Sequence, residues 1–404
     1  ATLSELIDSM KISVKEFTKG KMKIPMYRAL YLDKLLQESG NVEYERDTYF
    51  KTLLRNFKSV EDSEYPVPGY LKNILRNYQK TGYRWLRTIE DYGFGGILAD
   101  DMGLGKTIQV ISLITGTYKE EDKATSIVIC PASLVFNWTN EFNMYGQSLK
   151  VLAITGTAEE RQELIGIYGN YDVLVTSYDL LKRDIEHYED IVFKYQIIDE
   201  AQNIKNYTTQ SAKAVKLIHA KTKFALTGTP IENRLSELWS IFDYLMPGFL
   251  YKYDKFKKSF ELPIVKYKDE MAIKRLRQMI SPFVLRRLKK DVLKDLPDKI
   301  EQTTYAKFQG EQLDLYNAYV AKIKEGIQSQ SKEDFEKNKF RMLAELTRIR
   351  QICCDPKLCF SDYTGESAKL DTCMELIQNA INGGHKLLVF SQFTSMLDLI
   401  SEKL

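Results

Sequence analysis

The chain has 404 residues, 44% of them hydrophobic and 28% charged, with a formal net charge of +3. That length holds two or three domains, and that composition excludes wholesale disorder. The charge is too mild to bind nucleic acid by bulk electrostatics, so any DNA contact must come from local clusters.

No run of about 18 apolar residues occurs, which excludes an apolar membrane-spanning helix. Cys130 sits in the apolar run Ile127-Val128-Ile129-Cys130 and reads as a small buried hydrophobe. Cys353, Cys354 and Cys359 invite a zinc reading, but a second ligand pair at a useful spacing is missing, so reduced core thiols are the favoured account. A reducing, cytoplasmic setting follows, nucleoid-associated if the protein is prokaryotic.

Residues 1–68 mix lysines (Lys11, Lys15, Lys19, Lys21, Lys23) with leucines and read as a small helical accessory segment. Pro66, Pro68 and Gly69 mark its end. Residues 69–247 change to short β-branched runs at 95–99, 126–130, 150–154, 172–176, 195–198 and 223–227. Amphipathic stretches lie between them at 107–118, 134–144, 158–167, 179–188, 208–220 and 232–245. Apolar strands joined by helices describe an α/β fold, a parallel sheet with helices on both faces. Residues 248–300 lose the strand signal and read as a basic helical insertion ending in Arg286-Arg287-Leu288-Lys289-Lys290. Within 301–404 a helical stretch runs from about 310 to 352, and Lys386–Ser391 resembles the first strand of a further α/β unit.

Asp100-Asp101-Met102-Gly103-Leu104-Gly105-Lys106-Thr107 follows an apolar strand and opens an amphipathic helix, the context of a phosphate-binding loop. The glycines let backbone N–H groups approach a phosphate, and the helix N-terminus adds its dipole. Lys106 can reach the β- and γ-phosphates of ATP, and the Thr107 hydroxyl can ligate Mg²⁺. Asp100 stands where the general motif has glycine. On a strand taken as neighbouring, Ile197-Ile198-Asp199-Glu200 supplies the acidic partner. Asp199 would hold Mg²⁺ through water, and Glu200 would deprotonate the attacking water.

Asp101–Thr107 and Asp199–Asn206 resemble motifs I and II of the Swi/Snf-type ATPases, helicase-like translocases on double-stranded DNA with paired RecA-like lobes. That family carries aspartate at the position of Asp100. Further resemblances follow in the family's order. Leu75–Gln79 resembles the motif whose glutamine, here Gln79, reads the adenine edge. Cys130–Trp138 resembles motif Ia, Thr176–Tyr178 motif Ib, and Leu226–Asn233 motif III. Phe283–Arg287 resembles the end of the family's helical insertion. Arg350–Cys353 and Val389–Phe393 resemble the start of its second lobe.

The resemblance covers about residues 70–404. It implies ATP and Mg²⁺ as cofactors, the sites assigned above, and Gln202 and Thr227 as coupling residues. Glutamine at 202, where many relatives have histidine, points to a prokaryotic branch. Ser133, Asn137, Thr176, Ser177 and Thr229 sit at strand ends or helix starts, where they can hold phosphates of one DNA strand or cap helices. Arg286, Arg287, Lys289 and Lys290 track the duplex, dock the second lobe, or form a solvated face. Trp138 and Trp239 are expected in the core.

The expected activity is ATP-driven translocation on double-stranded DNA that displaces DNA-bound proteins, by a monomer without membrane contact. A strand-separating helicase and a nucleotide-gated DNA scaffold are the alternatives. The family's arginine-bearing final motif has no counterpart here, so the chain is expected to be a fragment of low intrinsic activity.

Overall fold

Isoleucine, valine and leucine dominate the runs that form strands, and burial on both faces makes a parallel sheet their stable arrangement. The computed structural model describes residues 25–39, 45–58, 65–119, 124–228, 234–294, 300–328 and 339–404. The chain divides into two units, Ala1–Pro297 and Asp298–Leu404.

In the first unit the strands are β1 (Gly96–Leu98), β2 (Ser126–Cys130), β3 (Val151–Ala153), β4 (Val173–Ser177), β5 (Val192–Ile198), β6 (His219–Leu226) and β7 (Val284–Leu285). They form one sheet in the order β3-β4-β2-β5-β6-β1-β7, and every pairing is parallel. Parallel neighbours need crossover connections. Helices Lys106–Gly116, Val135–Tyr145, Ala158–Gly166, Tyr178–Asp184 and Gln210–Leu217 provide those between β1 and β6. Val110, Ile111 and Leu113 of the first of these are wholly buried with Ile127, Val128, Ile197 and Phe224 of the sheet. Because all strands run one way, every loop after a strand opens at the same edge, where ligands bind in open α/β sheets.

All six expected strands form within a few residues of their anticipated limits. The seventh, β7, lies inside the segment read as a helical insertion. It pairs with β1 through Ile97↔Val284 and Leu98↔Leu285. Two residues carry too little periodicity to be seen, and only the waiting edge of β1 makes them a strand. Helices Met26–Ser39 and Thr48–Lys58 pack into the same core through Leu30, Tyr31 and Leu53. Lys34 Nζ donates to Ser281 Oγ at 3.1 Å and Asn56 Nδ2 to Tyr92 Oη at 3.0 Å.

The second unit is helical among its described residues, with helices Gly310–Gln328, Lys339–Cys354, Ala368–Asn382 and Thr394–Lys403. Leu370, Ile377, Met396 and Ile400 form its small core. The strand expected at Lys386–Ser391 is absent. Leu388 and Phe390 are 84% and 87% exposed. A strand is made by its ladder, and no described segment pairs with this one.

Candidate nucleotide site and the adjoining surface

The phosphate loop leaves β1 through the buried residues Ala99 and Asp100 and closes on the helix beginning at Lys106. Gly103 and Gly105 have φ of +84° and +71°, a left-handed region that side chains disfavour. At Gly105 a Cβ would also stand 2.5 Å from Gln79 Nε2. The first amides of the helix have no intrahelical acceptor and face the loop mouth as an anion cradle. Lys106 Nζ is folded back on its own loop, donating to the carbonyls of Asp100 (2.8 Å) and Asp101 (3.4 Å). Neutral carbonyls are weaker acceptors than phosphate oxygens, so this ammonium is held in reach without being committed. Leu104 is fully buried, and Thr107 is half-buried on the first turn of the helix.

Gln79 has both ends of its amide engaged: Oε1 accepts from the Arg76 amide at 2.9 Å, and Nε2 donates to Leu104 O at 3.2 Å. It therefore braces the loop backbone, and contact with an adenine edge requires Nε2 to leave that carbonyl.

Two side chains lie elsewhere than expected. The Asp100 carboxylate, fully buried, turns away from the loop mouth. Arg287 Nε donates to its Oδ1 at 2.9 Å, Arg287 Nη2 to its Oδ2, and Gln109 Nε2 to its Oδ2 at 3.2 Å. A buried carboxylate demands such pairing, so Asp100 offers the loop interior only its carbonyl. Arg287 is correspondingly withdrawn from any duplex. Its remaining donors reach Gln109 Oε1 at 2.7 Å and the Tyr78 carbonyl. Arg286, beside it, is exposed.

Asp199 follows the last residue of β5 and is 9% exposed. Trp138 Nε1 donates to its Oδ2 at 2.9 Å and the Glu200 amide to its Oδ1 at 2.8 Å. Burial raises its carboxyl above the ordinary range, opposed by those two hydrogen bonds. Glu200 sits at φ +50°, an unusual conformation for a non-glycine residue. Its Oε2 accepts from Gln202 Nε2 at 2.7 Å, and Gln202 Oε1 accepts from Thr227 Oγ1 at 3.1 Å. Thr227 follows β6, so the strands carrying Lys106 and Asp199 are not neighbours: β6 lies between β5 and β1. Long-range hydrogen bonding, invisible in the sequence, sets this order. Two inter-strand spacings amount to about 10 Å, enough to seat a phosphate and a hydrated cation.

The residues fit such a cation. Among the described residues no group of three or more His, Cys, Asp or Glu is assembled. Mg²⁺ bound with a nucleotide uses one or two protein oxygens, the remainder coming from phosphate and water. Thr107 and Asp199 supply oxygens of the right kind.

Of the residues expected to face DNA, Ser133 and Asn137 are exposed after β2, Asn137 Nδ2 donating to Glu141 Oε1 at 3.1 Å. Thr176 is 0% exposed inside β4, so its hydroxyl cannot reach a DNA strand: its strand is covered on both faces. Ser177 caps Tyr178–Asp184 by accepting from the Leu180 amide at 3.3 Å. Thr229 lies outside the described residues. Trp239 is core, its Nε1 donating to Tyr251 O at 3.0 Å. Trp138 is core as well, but its bond to Asp199 was missed by sequence reasoning. The only signal was an indole one helical turn into the segment that follows the strand beside β5.

The SNF2-related domain family matches residues 78–358, and the bacterial SNF2 helicase associated family matches residues 1–68. The chain is 34% identical over 375 residues to the putative ATP-dependent helicase/translocase YwqA of Bacillus subtilis, covering 90% of this chain and 40% of that protein. It is 38% identical to an uncharacterized ATP-dependent helicase of Mycoplasma genitalium, covering 82% of this chain and 31% of the relative. The chain thus spans well under half the length of these bacterial relatives. Yeast TATA-binding protein-associated factor MOT1 is 32% identical, with 94% of this chain and 24% of that protein covered. The Sulfolobus solfataricus SWI2/SNF2 ATPase core, solved in complex with dsDNA, superposes with a TM-score of 0.53 at 40% identity, covering 80% of this chain and 68% of that one. With its phosphate loop and acidic pair at one edge of a parallel sheet, the chain belongs to the SNF2-related, Swi/Snf-type ATPase family.

Proposed function

We propose that this chain is the nucleotide-binding part of an ATP-driven translocase that moves on double-stranded DNA and displaces proteins bound there. The observation that carries the reading is the hydrogen-bonded chain Thr227–Gln202–Glu200, which ties the acid beside Asp199 to the strand between it and the phosphate loop. In this reading Lys106 leaves the loop carbonyls for the β- and γ-phosphate oxygens, and the helix amides hold the rest of the phosphate. Thr107 and Asp199 hold Mg²⁺, which neutralises charge on the phosphate oxygens. Glu200 orients the attacking water and takes its proton.

Double-stranded DNA is proposed as the partner because the exposed Ser133 and Asn137 stand at the same sheet edge, and because a similar archaeal core was solved with dsDNA. DNA-bound proteins as substrates rest on the likeness to a TATA-binding protein-associated factor.

The test uses the full-length protein. ATP turnover should rise with double-stranded DNA. Lys106→Ala should weaken nucleotide binding, and Glu200→Gln should keep binding while abolishing turnover. A Glu200→Gln protein with native turnover would overturn the assignment of the base. Displacement of a triplex strand without separation of the duplex distinguishes a translocase from a strand-separating helicase.

A further inference from the structure

We infer that Lys289 is a second cation of the phosphate site, contributed by the segment after β7; this rests on the nucleotide reading of the loop given above. The pairing of β7 with β1 does not stop at the strand ends. Ala99 N donates to Leu285 O at 2.7 Å and Asp101 N to Arg287 O at 3.0 Å, so residues 285–289 run alongside the opening of the phosphate loop. Two further ties hold that course. The Arg287 guanidinium is fixed on the buried Asp100 carboxylate, and the backbone amide of Lys289 donates to Asp101 Oδ2 at 2.9 Å.

The consequence is a side-chain placement. A Cβ built on Gly103 would have Lys289 Nζ 3.6 Å away, within ordinary contact. The ammonium therefore lies against the glycine arch of the loop. Lys289 is exposed, and its Nζ takes part in none of the ion pairs among the described residues. Among the described residues, Lys106 Nζ hydrogen-bonds only to neutral carbonyls of the same loop. Two ammonium groups and a helix N-terminus thus converge on one arch, beside the Asp101 carboxylate whose Oδ2 is taken by the Lys289 amide. The positive charge gathered at the arch favours a polyphosphate there. Lysine suits this place because its flexible stem delivers a point charge to a phosphate without bidentate geometry.

The assignment is tested by titrating the full-length protein with a fluorescent ADP analogue and with ATP in competition, at two salt concentrations. Lys289→Ala should raise the nucleotide Kd about fivefold to twentyfold, on the scale of one partly solvated charge-assisted contact. It should also lower the salt dependence of binding, and Lys289→Arg should recover most of the affinity. Lys290→Ala, an exposed neighbour, should bind as the native protein does. If Lys289→Ala binds nucleotide like the native protein while Lys106→Ala loses it, the inference is overturned and the nucleotide reading stands. If neither substitution changes binding, the nucleotide reading itself fails and takes this inference with it.

Discussion

The indole of Trp138 donates from Nε1 to Oδ2 of Asp199 at 2.9 Å, joining the helix Val135–Tyr145 to the end of β5. That helix presents Asn137 to solvent on one side and Trp138, 1% exposed, to the core on the other. The residue proposed to meet DNA therefore adjoins in sequence the hydrogen-bond partner of the acid proposed to hold Mg²⁺. Replacing Trp138 with phenylalanine keeps most of the packing and removes the hydrogen bond. Because that bond lowers the Asp199 carboxyl, whose position burial has already raised, its loss moves the carboxyl further up. Less of it is ionised at mildly acid pH. ATP turnover of the full-length Trp138→Phe protein should fall about 10- to 100-fold, as for partners that orient metal ligands. The acid limb of its pH–rate profile should shift to higher pH; an unmoved limb would count against a positioning role.

Arg287 and Asp100 make the second prediction. Their side chains are 12% and 0% exposed, so removing the arginine strands a buried carboxylate. Arg287→Ala should cost about 3–5 kcal/mol of stability in denaturant titration. The double replacement with Asp100→Ala should cost clearly less than the sum of the two single changes, because the stranded charge is then gone. Additive losses would show that the pair is not coupled.

The relay through Gln202 gives a third. Thr227→Val is close to isosteric but withdraws the hydroxyl that donates to Gln202 Oε1 at 3.1 Å. Gln202 then holds Glu200 less firmly. Nucleotide affinity should stay within about twofold while DNA-stimulated turnover drops roughly tenfold, less than full loss of a general base. Equal losses in affinity and turnover would place Thr227 in binding rather than in setting the base.

Lys223 supplies a prediction on stability. Burial, reinforced by the Lys216 ammonium, pulls it down to about 8, with Nζ 5.2 Å from the ring centre of Tyr244. A base whose folded pKa is depressed leaves stability intact above its unfolded pKa. That stability is lost as pH falls through the folded value. Lys223→Met should therefore stabilise the protein by about 1–3 kcal/mol at pH 7, and the gain should vanish toward pH 11. Melting temperatures of the two proteins across this range read the effect directly.

The β-branched runs, the glycine loop and the acid pair were legible because each is local. Strand propensity, a left-handed turn and a carboxylate after an apolar run are properties of a few consecutive residues. Local signals alone also point to Lys106, Thr107, Asp199 and Glu200 as candidates. What the tertiary structure decided depends on residues far apart in the chain. Asp100 looked like part of a phosphate cradle until Arg287, 187 positions later, claimed its carboxylate. Thr176 looked available until its strand was covered on both faces, and the lone run at Lys386–Ser391 found no ladder to join. β7 became a strand only because β1 had a free edge, and the same pairing carried Lys289 to the loop. Hydrogen-bond partners across a sheet and charges brought together by burial have no signature in a short window. The sequence could name the chemical groups, but only packing could say which of them are buried in pairs and which stay open at the sheet edge.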